Sequence, residues 1–134
     1  MPPTTGQDFL SAARQRLNAA EELFRARLTL DAQYLGGYAV ECALKALILH
    51  TTSEAERPDR LAAITSGSKM HRPEVLLAVL RDQGVVLTRE LAKRLRRFDW
   101  TTDLRYETGR RDTGETKGFL KTAKAVCDWV EGQL

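Results

Sequence analysis

Glu41 and Lys45 stand four residues apart inside an otherwise apolar run from Leu35 to Leu49. Charges in such a place need partners, and the spacing lets these two pair along one helix face. They read either as an ion pair at a bundle surface or as part of a polar site in a cleft. Further along, Leu104-Arg105-Tyr106 follows Trp100-Thr101-Thr102-Asp103. An arginine flanked by aromatics can grip a phosphate through two N–H groups, with Tyr106 or Trp100 offering a stacking surface to a base. It can equally be an arginine paired to a core carboxylate, Glu41 being the obvious one, with both aromatics as packing. His71 and His50 are lone imidazoles with no Cys, Asp or second His at metal spacing, and read as hydrogen-bonding residues at helix ends. Cys42 and Cys127, 85 positions apart, give neither a disulfide framework nor a metal pattern and fall on expected core faces. No cofactor or metal is indicated.

The elements that must position these residues are helical. Thr5 with Asp8 three residues on is a capping signal, and Phe9, Ala13, Leu17, Ala20, Phe24 and Leu28 then trace one stripe, predicting a helix over 6–29. Asp31 is read as the cap of a second helix to about His50, apolar on nearly all sides and therefore central. Gly36 and Gly37 lower helix propensity there, which points to a close approach by a neighbouring backbone or a ligand. Residues 51–70 read as a long connection with a short turn at 61–64. Pro73 opens a helix over 73–83, and Thr88 caps another, with Leu91, Leu95 and Phe98 on one face and Arg89, Lys93, Arg96 and Arg97 on the other. Continued unbroken, that helix would carry Trp100 onto its basic face, so a kink or restart is expected near Asp99–Thr102. Residues 107–116 read as a polar loop and about 115–132 as the last helix. No window reads as a strand, so the expected fold is an all-α up-and-down bundle of four to five helices in a single domain over 1–134.

Composition agrees with one globular domain. The 134 residues are 43% apolar and 29% charged, too apolar for disorder, and the longest apolar stretch is interrupted by charges and shorter than the ~20 residues that span a bilayer. No membrane association and a reducing cytoplasm are the resulting expectations. Net charge is only +3, but residues 86–124 hold eleven Lys or Arg against six Asp or Glu. That local excess suits a phosphate-bearing partner, or is simply a solvated helix face.

The run Tyr34-Leu35-Gly36-Gly37-Tyr38-Ala39-Val40-Glu41-Cys42-Ala43-Leu44-Lys45-Ala46-Leu47-Ile48-Leu49 resembles the signature helix of HEPN domains: a small residue and an aromatic, then Glu, apolar residues and Leu-Lys-Ala. His71 before an apolar helix, Asp103-Leu104-Arg105-Tyr106 before a polar loop, and a last helix ending Ala125-Val126-Cys127-Asp128-Trp129-Val130 look like the rest of that pattern. The resemblance implies a four- or five-helix bundle, frequently dimeric. Such bundles occur in bacterial and archaeal proteins that bind nucleotides or cut RNA, often beside a minimal nucleotidyltransferase in toxin–antitoxin pairs. Catalytic members carry Arg, four to six residues, then His, for general acid–base work at the RNA 2′-hydroxyl. After Arg105 those positions hold Arg110, Arg111 and Asp112; before His71 they hold Ile64, Thr65 and Ser66; before His50, Ala43, Leu44 and Lys45. No pair fits, and arginine cannot act as a general base. The resulting expectation is a non-catalytic module that binds a nucleotide or RNA phosphate through Arg105, Arg97 and the basic stripe, with Tyr106 or Trp100 near the base and Glu41 and Lys45 beneath. The alternatives are a ligand-free partner subunit of a nucleotidyltransferase and a divergent ribonuclease. A homodimer is also expected, because helix 2 carries more apolar surface than one short bundle readily covers.

Overall fold

A computed structural model describes residues 2–134. Six helices follow in order: α1 (Gly6–Arg25), α2 (Thr29–Thr51), α3 (Arg57–Ile64), α4 (Pro73–Asp82), α5 (Arg89–Arg96) and α6 (Thr113–Gln133), with no strand among the described residues. Short 3-10 turns at Glu54–Glu56, Ser68–His71 and Thr102–Tyr106 join them.

The capping box at Thr5 forms as its residue types predict: the Thr5 hydroxyl accepts from the Asp8 amide, and the Asp8 carboxylate accepts from the Thr5 amide. The helix then ends at Arg25, short of the expected 29. Arg27 enters the left-handed region (φ 65°), and the Leu28 amide reaches back to the Leu23 carbonyl, turning the chain into α2. Apolar spacing could not reveal this stop, because Leu28 continues the stripe yet is exposed. Asp31 does not cap α2; it lies within the first turn, where its charge suits the positive end of the helix.

α2 is the axis of the molecule, packed by α1, α6, α4 and α3. Its residues Ala39, Val40, Ala43, Leu44, Ala46, Leu47, Ile48 and Leu49 are all buried within one chain. The apolar surface that suggested a dimer is thus covered internally, and that argument for self-association falls away. Gly37 is where an indole enters: a Cβ there would lie 2.0 Å from Nε1 and Cε2 of Trp100. The close neighbour that the glycines foretold is a side chain, neither backbone nor ligand.

The 51–70 connection is more structured than expected. Pro58 sits in the first turn of α3, and Ile64 at its end is fully buried. Arg57 Nε donates to the carbonyls of Leu49 and Thr52, at 3.1 Å each, and so closes the end of α2. With a single buried apolar residue, this helix has no periodicity to read. α5 is capped by Thr88, whose hydroxyl accepts from the Leu91 amide; it buries Leu91 and Leu95 and ends at Arg96, short of the break expected near Asp99–Thr102. α6 starts two residues before the expected 115, capped by Asp112 accepting from the Glu115 amide at 2.8 Å.

Candidate functional site

Glu41 and Lys45 are 5% and 4% exposed, so they form neither a surface pair nor an open cleft wall. Lys45 Nζ donates to one Glu41 oxygen at 3.0 Å, and His71 Nδ1 lies 3.0 Å from the other. One buried carboxylate therefore holds a cation from its own helix and an imidazole from the turn leading into α4. Removing water from these charges costs several kcal/mol each, so the pairing is obligatory and fixes where the 68–71 turn sits on α2. The His71 side chain is 42% exposed. With Nδ1 on Glu41, Nε2 is the nitrogen left for solvent or a ligand. His71 read as an isolated imidazole in the sequence, because its partner is 30 positions away and no local spacing links the two.

A row of aromatics runs beside this trio. Tyr38 packs edge-on against Tyr34 (ring centroids 5.1 Å apart), Trp100 (5.0 Å) and His71 (6.5 Å). The Tyr34 and Tyr38 hydroxyls are 3.3 Å apart. Burial first, then the neighbouring Tyr34, pushes the Tyr38 phenol well above its ordinary value, so it stays protonated.

Trp100 is 3% exposed, and its indole N–H donates to the Tyr34 carbonyl at 3.1 Å. Both its face and its donor are used, which corrects the expectation that it could stack on a base: the chain leaves helical geometry at Arg97, and the indole turns inward onto Gly37. Arg105 takes the opposite course. It is exposed and lies over the ring of Tyr106, with Cζ 4.9 Å from the centroid, and Tyr106 is itself 74% exposed. Tyr106 first, then Tyr34 and Tyr38, raise the guanidinium above its ordinary value, so it is cationic at every working pH. The predicted alternative partner, Glu41, has both oxygens occupied by Lys45 and His71.

The remaining predicted residue is elsewhere. Arg97 is exposed at the end of α5 and lines an open hollow of about 890 Å³ between α4 and α5 that includes neither Arg105 nor Tyr106. The structure thus brings Tyr38, His71 and Glu41 together, sets Arg105 close enough to Tyr34 and Tyr38 for their charges to interact, buries Lys45 and Trp100, and places Arg97 on a different hollow. No group of three or more His, Cys, Asp or Glu among the described residues could hold a metal ion. No helix among them is long and apolar enough to cross a membrane.

No curated protein and no solved structure matches this chain significantly. The HEPN domain profile, in contrast, matches residues 7–133, nearly the whole length and every element described above, including the Glu41 helix, the His71 turn and the Arg105 turn. The chain belongs to the HEPN domain family.

Proposed function

We propose that this protein is a non-catalytic module that takes a nucleotide or RNA phosphate on the face formed by Arg105 and Tyr106. The observation that carries the reading is the state of Arg105: an exposed guanidinium with no ion pair among the described residues, beside an exposed aromatic ring. A guanidinium presents a planar fork of donors matched to phosphate oxygens, and a neighbouring aromatic gives a base something to stack on. Tyr106 takes that second role alone. Glu41 and Lys45 act from below by fixing His71, whose Nε2 supplies one further hydrogen-bonding group. The face is open, which favours a ligand recognised by its phosphate over one swallowed whole.

Calorimetric titration with ATP, GTP and a short single-stranded RNA tests this. Binding should weaken about tenfold in Arg105→Ala, the size of one lost charged contact (~1.4 kcal/mol), while the melting temperature stays unchanged. Absence of binding at millimolar nucleotide and RNA, or equal affinity in Arg105→Ala, overturns it.

The Glu41–His71 contact favours a second reading, that of a divergent ribonuclease. In it, His71 Nε2 takes the proton of a 2′-hydroxyl, the freed oxygen attacks the adjacent phosphorus, the bond to the 5′-oxygen breaks and that oxygen takes a proton from water, and Arg105 meets the charge on the phosphate. The same titrated RNA, run on a gel, separates the two. Cleavage to a cyclic phosphate end, lost in both His71→Ala and Arg105→Ala, selects the second reading; intact RNA selects the first.

A further inference from the structure

The hollow between α4 and α5 is built unlike the Arg105 face. α4 rests on α2 and α5 on α6, and the two helices leave a trough between them, closed at one end by the 83–88 turn. Its lining is aliphatic along most of its length: Leu77 from α4, Val85, Val86 and Leu87 from the turn, and Leu95 from α5. Val86 is 87% exposed, the most open large apolar side chain described. Phe98, the one aromatic in the lining, is buried and stacked on Phe119 at 4.1 Å, so no ring is offered to a base.

The rim is cationic. Arg81, Arg96 and Arg97 line it against two carboxylates, Glu74 and Asp99, and Arg89 and Lys93, exposed outside the lining, continue the Arg96 edge of α5 at helical spacing. None of these five cations forms an ion pair among the described residues, whereas Arg94, on the far side of α5, is paired with Glu90 at 3.2 Å. Arg89, Lys93 and Arg97 also repeat at steps of four, the spacing at which like charges repel and weaken a helix by a few tenths of a kcal/mol per pair. α5 is only eight residues long and ends at Arg96, so Arg89 and Lys93 are the pair whose repulsion falls inside it.

The geometry points to this trough as the seat of an amphipathic helix from another protein, with apolar residues facing inward and acidic residues on the flank that meets α5. Three features select this occupant. The cations spread over about 12 Å of helix axis at 1.5 Å per residue, too far for the single carboxylate of a fatty acid but matched by acidic residues on successive turns. The aliphatic floor and the rim carboxylates Glu74 and Asp99 disfavour RNA, which needs stacking surfaces and continuous positive charge. A second copy of the same face would set guanidinium against guanidinium. A helix laid in an apolar groove with complementary flanking charge is a recurring mode of recognition.

The test uses the full chain, isotopically labelled, and two synthetic amphipathic helical peptides with the same leucine face, one flanked by glutamates and the other by lysines. The glutamate peptide should shift the amide resonances of Leu77, Val86, Leu87 and Ala92 and bind at least tenfold more tightly than the lysine peptide. Arg96→Glu with Arg97→Glu, both exposed positions, should weaken the glutamate peptide about tenfold and strengthen the lysine peptide. Val86→Asp should weaken both. Arg105→Ala should change neither, which keeps this result independent of the phosphate site. The inference is overturned if millimolar glutamate peptide moves no groove resonance, if the two peptides bind alike, if charge reversal has no effect, or if laurate or RNA occupies the trough where the peptide does not.

Discussion

Inside α2, Glu41 holds Lys45 on one oxygen and His71 on the other, while along α5 the cations Arg89, Lys93, Arg96 and Arg97 stand exposed with no carboxylate bonded to them. The buried trio cannot be otherwise. A lone charge in that helix would forfeit its hydration with nothing in return, so the pairing decides how the 68–71 turn docks and where the His71 ring points. On α5 water solvates every cation, and nothing in folding requires a partner. Arg94 finds one only because Glu90 lies four residues back on the same face. The stripe cations lack an acid at that spacing and instead have each other. Buried charge here is a constraint on shape, and exposed like charge is a cost to the helix that carries it, which is why the first reads as architecture and the second as a surface awaiting a partner.

That contrast can be broken at several points. The largest effect should come from Glu41→Ala, which strands Lys45 and costs about 3–5 kcal/mol. Thermal melting should show a fall of more than ~10 °C, and Glu41→Gln combined with Lys45→Met should recover most of it. A Glu41→Ala protein that melts within a few degrees of the parent would mean the trio does not organise the core.

A smaller effect should appear at alkaline pH. Burial first, then the neighbouring Glu41, raises the Cys42 thiol from 9.0 to about 11. Below pH 9 the thiol is protonated both folded and unfolded and has no influence. As pH rises through the 9–11 window the unfolded chain ionises first, so stability is lost progressively, by about 1.4 kcal/mol for each pH unit crossed. Melting curves at pH 8, 9, 10 and 11 should therefore fall more steeply for the parent than for Cys42→Ala. Parallel curves would refute it. Iodoacetamide should also modify Cys42 slowly at pH 8, where roughly a thousandth of the thiol is ionised.

The smallest effect, with opposite sign, belongs to the surface. Arg89→Glu places an acid four residues before Lys93 and next to the N-terminus of α5, replacing repulsion with attraction in a favourable orientation. It should raise stability by about 0.5–1 kcal/mol, visible as a rise of a few degrees in melting temperature. A neutral or destabilised variant would show that the stripe carries no strain and would remove one support for the docking surface.

Much of the architecture was legible from local rules. The all-α class followed from apolar spacing, the starts of α1 and α5 from Thr5 and Thr88, and the central place of α2 from its lack of a polar side; the need to keep Trp100 off the basic face called for a break near Asp99–Thr102, and the helix stops earlier, at Arg96, before the chain turns again at Thr102. What escaped reading depended on contacts between distant residues or on rare backbone choices. A non-glycine residue in left-handed conformation at Arg27 leaves no signal in composition. α3 escaped because it is short and packs through Ile64 at its end, with Arg57 working as a cap for a different helix. Trp100 reads in the sequence either as a stacking surface beside Arg105 or as packing, and spacing cannot choose between them, because Gly37, which makes room for the indole, lies in another element.

By itself, then, the sequence determined which segments other than α3 are helical, which face of each is apolar, and that Glu41, Lys45 and Arg105 need special surroundings, since periodicity, capping and the cost of buried charge all act over a few residues. Tertiary structure alone decided which of the charged and aromatic residues share a neighbourhood. Desolvation at the packed interface of α2 drew His71 onto Glu41 and the indole of Trp100 onto Gly37, while Arg105 stayed in solvent without an ion pair among the described residues. Local spacing carries no record of that outcome, because the partners are chosen by which surfaces the fold removes from water.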